Sequence, residues 1–342
     1  LRELRLIALE CLSDIPNKEA KDSFITKYFN CKNPDEIVLL ITKNMGENYQ
    51  PLRGFRDEAL DEKVNELSDE QRAVYNADVI TNVQVIAGPG SGKTHTLILR
   101  VARLIHEESI LPESILILAY NRAVVVELKE RLTQLFSSLG YANIIQRLRV
   151  FTFHGFCKFC LRNAIRDLRF EDWVPRFMET AANHPGIINS QLGALKYVFV
   201  DEFQDITQER LDLLKFVADP NKTSITVIGD PNQSIYGYER VNAGGSRSPR
   251  QNYNEFNGIY SPIELRITDN FRSYPKILVA AQRLLSYNQD RFDIQPLIPR
   301  LADVDYNYRE VITCTGISDQ WLQKLDEILN EVNPQTASGY RQ

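Results

Sequence analysis

The first chemistry that the sequence offers is phosphate binding, in the segment from Ala87 to Thr94. Its glycines let backbone N–H groups turn toward a phosphate, and the helix predicted to follow adds positive potential at its N-terminus. Lys93 is placed to reach the β and γ phosphates, and the Thr94 hydroxyl to hold Mg²⁺, so ATP and Mg²⁺ are the predicted cofactors. The nucleotide-binding residues predicted here are Gly88, Pro89, Gly90, Ser91, Gly92, Lys93 and Thr94.

A pair of acids, Asp201 and Glu202, directly follows an apolar run, Tyr197–Val200, that predicts a buried strand. Phosphate loops lie at the C-terminal edge of a parallel sheet, so the pair is expected beside Lys93. Asp201 is predicted to hold Mg²⁺ through water, and Glu202 to orient and deprotonate an attacking water. A helix N-cap cluster is the structural alternative, and Asp205 fits that role better than the pair does. Hydrolysis is therefore favoured over nucleotide binding alone.

The pattern of elements from Val83 onward predicts an α/β fold, because short apolar runs alternate with amphipathic stretches. A parallel sheet with helices on both faces is expected. The predicted strands are Val83–Ala87, Ile115–Ala119, Leu148–Phe153, Tyr197–Val200, Ile225–Ile228, Ile263–Ile267 and Val311–Thr313. Residues 1–65 carry apolar residues at helical spacing and are predicted to form a helical extension. The Gly-, Ser- and Asn-rich segment 242–260 is predicted to be a surface loop and a seam between two α/β units.

Composition excludes several classes of protein. The chain has 342 residues, 43% of them apolar and 25% charged, which is typical of globular proteins and not of disordered or fibrous ones. No apolar run approaches the roughly 18 residues of a membrane span. Five cysteines, an odd number, do not make a disulfide framework. Cys157 and Cys160 form a lone C-x-x-C and are expected to be buried apolar side chains, not metal ligands.

Charge is distributed unevenly along the chain. The net charge is −5, yet residues 143–170 contain six basic residues and a single acid. Such a run could bind a polyanion, and a solvated helix face is the simpler alternative.

Four further motifs accompany the phosphate loop and the acidic pair, in the order Leu67–Val74, Thr152–Cys157, Gly229–Tyr238 and Asn270–Ser273. In order and spacing the six motifs resemble superfamily 1 DNA helicases of the UvrD, Rep and PcrA type, over about residues 67–332. The resemblance implies a RecA-like P-loop NTPase fold. It divides the chain into the helical extension 1–65, a first RecA-like ATPase domain 66–262 with a short accessory insert around 160–195, and the incomplete beginning of a second RecA-like domain, 263–342.

The resemblance also implies nucleotide contacts outside the phosphate loop. Gln71 would recognise the adenine edge, Phe271 would stack on the adenine ring, and His95 stands where relatives often have an arginine beside the nucleotide. Gln233 would sense the γ phosphate, and Arg272 would neutralise charge on the phosphoryl group in the transition state. The implied catalytic residues are Lys93, Asp201, Glu202, Gln233 and Arg272, and the implied metal ligands are Thr94 and Asp201.

Single-stranded DNA and duplex junctions are the partners that the resemblance implies, with no membrane partner. The implied DNA contacts are Tyr120, Asn121, Thr152, Phe153, His154 and Tyr238. Aromatic faces stack on bases without regard to sequence, and nearby cations hold the backbone. The basic run surrounds the Thr152 motif, which gives its charge a use.

The predicted function is an ATP-dependent DNA helicase or translocase that moves 3′ to 5′ on single strands, with this chain as its N-terminal portion. Two alternatives remain open: an ATP- and DNA-binding module without turnover, because the closing half of the motor is absent, and a P-loop ATPase of another class. The expected location is the bacterial cytoplasm with the nucleoid, or the nucleus or an organelle in a eukaryote.

Overall fold

A computed structural model describes residues 2–141, 144–162, 167–193, 195–234, 249–287, 291–292 and 295–301. Four helices come first: α1 (Arg2–Asp14), α2 (Lys18–Asn30), α3 (Pro34–Met45) and α4 (Gln50–Asn65). Asn17 and Asn33 cap α2 and α3 by accepting a hydrogen bond from the backbone two or three residues inside each helix. The first three helices and Leu52 of α4 share an apolar core, and the helical structure predicted for this segment is confirmed. Its standing as a separate extension remains a prediction.

A six-stranded parallel sheet forms the centre of the molecule, in the order β3-β2-β4-β5-β1-β6. Its strands are β1 (Val83–Ala87), β2 (Ile115–Ala119), β3 (Arg149–Thr152), β4 (Tyr197–Val200), β5 (Ser224–Gly229) and β6 (Ile263–Ile267). The predicted strands at these positions are confirmed, and the predicted strand Val311–Thr313 lies outside the described residues. A two-residue pairing joins β7 (Asp269–Asn270) to β8 (Ile298–Pro299).

Helices cover both faces of the sheet. They are α5 (Asp69–Asn76), α6 (Lys93–His106), α7 (Arg122–Ser138), α8 (Ile144–Arg147), α9 (Phe153–Leu161), α10 (Trp173–Asn183), α11 (Pro185–Leu192), α12 (Gln208–Val217), α13 (Pro249–Tyr260) and α14 (Pro275–Ser286). Alternate residues of each central strand enter two separate cores, so Ile117 packs against α6 and α7 while Leu116 and Leu118 pack against α9 and α12. Burial on both faces explains why these strands are continuous apolar runs.

The predicted boundary between residues 262 and 263 is wrong. Strand β6 pairs in parallel with β1, Val83 opposite Ile263, so it belongs to the first sheet. A strand that follows a long connection has the same local pattern whichever sheet it joins, which is why the sequence could not decide its place. That a second RecA-like domain begins later in the chain remains a prediction.

Segment 249–260, predicted to be part of a surface loop, forms α13. Tyr253, Phe256 and Tyr260 are buried along one face of this helix and pack on the core beneath β4 and β5. Their spacing of three and four residues was the helical signal, and the polar composition around it obscured that signal. Within the described residues, no helix is both long and apolar enough to cross a membrane.

Candidate nucleotide and DNA site

The phosphate loop connects β1 to α6 and surrounds a cavity of about 200 Å³. Gly90 and Gly92 have φ angles of 68° and 78°, a left-handed region in which a side chain is strained. A Cβ on Gly90 would lie 2.6 Å from the Cβ of Arg272, so glycine is also required for space. The Ser91 hydroxyl donates to the Gly88 carbonyl at 2.8 Å and closes the loop.

Asp201 and Glu202 end β4 beside this loop, as predicted. The Thr94 hydroxyl donates to the Asp201 carboxylate at 3.3 Å, and the Lys93 ammonium lies 3.7 Å from the Glu202 carboxylate. Burial raises the pKa of Asp201 to about 7, and the neighbouring Glu202 adds to the rise. A carboxylate so buried needs a cation to stay ionised, and a hydroxyl beside a carboxylate is a donor set that suits Mg²⁺. Thr94 and Asp201 thus fit the predicted metal ligands.

Glu202 is held in its position by an unusual backbone and by Gln204. Its φ of 52° and ψ of 49° are left-handed, which costs a non-glycine residue about 1–3 kcal/mol. The Gln204 amide donates to the Glu202 carboxylate at 2.8 Å, and its oxygen accepts from the Asp230 backbone N–H at 3.0 Å. Gln204 therefore links the acidic pair to the end of β5. No role for Gln204 was predicted from the sequence.

Asn270 joins the last motif to the phosphate loop. Its amide donates to the Pro89 carbonyl, and its oxygen accepts from the backbone N–H groups of Arg272 and Ser273, at 3.0 and 2.7 Å. The Phe271 N–H donates to the Gly90 carbonyl at 2.9 Å. These contacts place Arg272 in the wall of the cavity. Asn270, too, had been left without a role.

All the predicted catalytic residues meet at the one cavity. Its lining includes Lys93, Asp201, Glu202, Gln233 and Arg272, together with the predicted loop residues Gly88 to Thr94. They come from four separate parts of the chain. Convergence of this kind is what phosphoryl transfer requires, because its catalysis is mostly positioning and charge stabilisation.

Three predicted nucleotide contacts lie outside the cavity lining. The Gln71 amide donates to the Ser91 carbonyl at 2.9 Å and accepts from the Ser68 N–H at 3.1 Å, so its adenine-reading groups are occupied by the protein. Phe271 is 44% exposed and is not part of the cavity lining. His95 lies near Glu66 and Lys63, and burial lowers its pKa. Their contacts with adenine stay predictions.

Two polar residues of α7, Glu127 and Arg131, also line the cavity, and sequence reasoning missed both. They form an ion pair across one helical turn, with Nη2 of Arg131 2.5 Å from Oε1 of Glu127. No local pattern in the sequence marks these two residues, because their place at the cavity depends on how α7 packs beside the phosphate loop.

The predicted DNA contacts lie at the C-terminal ends of β2 and β3. The Arg210 guanidinium lies 4.6 Å from the Tyr120 ring centroid. Asn121 caps α7 by accepting from the Val124 N–H at 3.0 Å, and Thr152 caps α9 by accepting from the Gly155 N–H at 2.9 Å. The side-chain oxygens of Asn121 and Thr152 therefore shape the backbone at this edge.

Phe153 and His154 differ from expectation. The Phe153 ring is 3% exposed and packs in the core, so it offers no face for a base to stack on in this structure. A contact of Phe153 with DNA stays a prediction. His154 is 8% exposed because the Phe170 ring covers it. Tyr238 lies outside the described residues. Exposure of these rings depends on packing with distant segments, which a short motif does not encode.

The basic run is partly structural. Arg147 pairs with Glu113 at 2.6 Å, and Arg149 donates to the Leu192 carbonyl at 2.7 Å. Lys158 and Arg169 are exposed.

Cys157 and Cys160 are buried free thiols in the core, as the sequence predicted, and burial raises the pKa of Cys160 to about 12.

Comparison with known proteins decides the family. A family model described as the UvrD/REP helicase N-terminal domain matches residues 67–191 and 167–246, together just over half of the chain. The chain belongs to this helicase family. The match confirms the resemblance drawn from the six motifs and includes the first five of them completely.

The similar proteins are longer than this chain. ATP-dependent DNA helicase SRS2 of Saccharomyces cerevisiae is 26% identical over 71% of this chain and 29% of its own length. ATP-dependent DNA helicase PcrA of Staphylococcus aureus is 22% identical over 60% of this chain and 38% of its own. Among solved structures, the Pif1 helicase from Candida albicans covers 64% of this chain and 42% of its own, at 14% identity and a TM-score of 0.38. The UvrD/REP-type chain thus spans less than half of the curated relatives' length.

Proposed function

We propose that this chain carries the ATP-hydrolysing unit of a DNA helicase or translocase. The observation that supports the proposal best is the meeting of Lys93, Asp201, Glu202, Gln233 and Arg272 at one cavity. The family's matched relatives are named ATP-dependent DNA helicases, which supports the same conclusion.

The geometry suggests a role for each group. Backbone N–H groups of the phosphate loop and the Lys93 ammonium hold the β and γ phosphates, which releases Lys93 from Glu202. Glu202, fixed by Gln204, orients a water and accepts its proton. Arg272 neutralises charge that develops on the transferred phosphoryl group. Mg²⁺, held by Thr94 and Asp201, would supply charge neutralisation between the phosphates.

Coupling to DNA follows from the shared sheet edge. Gln233 lines the nucleotide cavity, and the motif that contains it continues toward Tyr238, the predicted DNA contact. Closure of a second RecA-like unit over the cavity, and its reopening after hydrolysis, would move single-stranded DNA across this edge. By resemblance to the family, movement is 3′ to 5′. The proposed ligands are ATP, Mg²⁺ and single-stranded DNA.

The test is the ATPase rate of the chain with and without oligothymidylate, in the wild type and in Lys93→Ala. The proposal predicts that DNA raises the wild-type rate and that Lys93→Ala abolishes it, because the phosphates lose their main cation. Lys43→Ala, an exposed lysine on α3, is the matched control and keeps the wild-type rate. DNA-stimulated hydrolysis that survives Lys93→Ala would disprove the site.

The same assay distinguishes the proposed function from the alternative of a binding module without turnover. Phe271, expected to stack on adenine, is 44% exposed, so the described residues do not enclose its ring, and this favours the alternative. It predicts that the chain binds a fluorescent ATP analogue and DNA, and that neither Mg²⁺ nor DNA produces turnover. Brisk DNA-dependent turnover excludes it.

A further inference from the structure

The insert between β3 and β4 places an aromatic ring over a predicted DNA contact. The rings of His154 and Phe170 are stacked, with centroids 4.0 Å apart and planes 14° apart. His154 is 8% exposed, whereas Phe170 is 53% exposed. The face that His154 would have offered to a base is thus covered, and the aromatic surface open to solvent at this point belongs to Phe170.

Further groups extend this surface. The Trp173 ring is 5.2 Å from Phe170, tilted by 56°, and the Lys158 ammonium lies 5.6 Å from the Trp173 ring centroid. Arg169 precedes Phe170, and its side chain is 83% exposed, with Asp172 3.4 Å from its Nε. Proteins bind single-stranded nucleic acid through an exposed aromatic face flanked by cations, because a base stacks on the ring and the phosphates contact the cations.

The position of this surface agrees with that use. His154 lies in the first turn of α9, directly after β3, and β3 pairs with β2, whose C-terminal end leads to Tyr120. Both lie at the edge of the sheet at which the predicted DNA path runs. The residues of Phe170–Trp173 belong to none of the six motifs, so nothing in the motif pattern assigns them a ligand.

We propose that Phe170 is a base-stacking residue for single-stranded DNA, with Lys158 and Arg169 beside it for the backbone. The proposal rests on the proposed function and adds a contact that the motifs do not contain. Phe170, which belongs to the short insert, would then stack on a base in place of His154, whose ring Phe170 covers.

The experiment measures binding by fluorescence anisotropy with two labelled oligonucleotides of equal length, oligothymidylate and an abasic strand with the same number of phosphates. Stacking predicts that the wild type prefers the strand with bases. Phe170→Ala weakens binding of oligothymidylate about 5- to 150-fold, the range that corresponds to one stacked base, and leaves the abasic strand unchanged. Phe170→Tyr, which keeps the ring, restores the preference. Phe29→Ala, another exposed phenylalanine, is the control and changes neither affinity.

Each other outcome is decisive. If Phe170→Ala leaves oligothymidylate binding unchanged or strengthens it, Phe170 is only a cover over His154 and the inference fails. If the wild type binds both strands equally, the inference fails without any variant, while phosphate-driven DNA binding and the proposed function stand. If the wild type binds neither strand, the DNA part of the proposed function fails with it.

Discussion

At the scale of single residues, the nucleotide cavity depends on side chains for which the motifs predicted no role. Gln204 and Asn270 do not line the cavity, but they hold Glu202 and the backbone of Arg272 in place. Arg131 differs from both, because its guanidinium lines the cavity itself while it pairs with Glu127. A cation at this wall is placed to contact a bound nucleotide.

Arg131→Gln is therefore expected to raise the KM for ATP about fivefold with little change in kcat, because a partly exposed charge contact contributes about 1 kcal/mol of binding. Steady-state ATPase assays at saturating DNA measure both constants. Arg176→Gln is a closely matched control: Arg176 is 45% exposed against 44% for Arg131 and likewise pairs with a glutamate one turn away on its own helix. An unchanged KM in Arg131→Gln would place its side chain outside the nucleotide's reach.

At the scale of elements, the site depends on close approach between the end of β5 and the turn after β4. A Cβ on Gly229 would lie 2.4 Å from Oε1 of Gln204 and 3.0 Å from the Phe203 backbone nitrogen. Glycine at this position leaves room for the glutamine that holds Glu202. The strand end and the turn are thus built as one unit.

Gly229→Ala is expected to lower kcat about tenfold or more, because displaced Gln204 loses a hydrogen bond to a charged carboxylate, which is worth about 1.5–3 kcal/mol. The KM for ATP stays near the wild-type value, since the phosphate loop is unaffected. Gly258→Ala, on α13 with open space around it, keeps the wild-type kcat. Equal rates in Gly229→Ala and the wild type would show that Gln204 does not position the catalytic glutamate.

At the scale of the whole molecule, the N-terminal helices and the sheet unit share an interface. Arg56 of α4 is buried and donates to the Gly140 carbonyl at 3.0 Å and to the Glu47 carbonyl at 3.0 Å, with its guanidinium 3.9 Å from the Tyr141 ring centroid. His106, in the last turn of the helix that begins at Lys93, lies 2.6 Å from the Asp57 carboxylate. Leu60 joins the core above the sheet, so the predicted extension 1–65 ends inside the core of the sheet unit.

Arg56→Ala is expected to lower the free energy of unfolding by about 2–4 kcal/mol, because it leaves buried carbonyl groups without donors. Urea denaturation followed by circular dichroism measures the change. Arg53→Ala, exposed on the same helix, is the control and shifts the midpoint little. If both variants are equally stable, the interface does not stabilise the sheet unit.

The sequence by itself determined the phosphate loop, the acidic pair, the family and the six strands from Val83–Ala87 to Ile263–Ile267. These features depend on neighbouring residues: glycines that permit φ near +70°, a hydroxyl and a lysine at a helix start, and apolar runs that a doubly covered sheet must bury. Features that depend on residues close together in the chain can therefore be predicted from the sequence.

Only the tertiary structure decided which side chains face outward and which distant groups meet. It placed β6 beside β1, covered His154 with Phe170, buried the Phe153 ring, and brought Arg131 to the cavity. Each of these outcomes depends on contacts between segments far apart in the chain, whose free energies come from packing and desolvation. A motif fixes the type of a residue, whereas its exposure and its partners are fixed by what the rest of the fold packs against it.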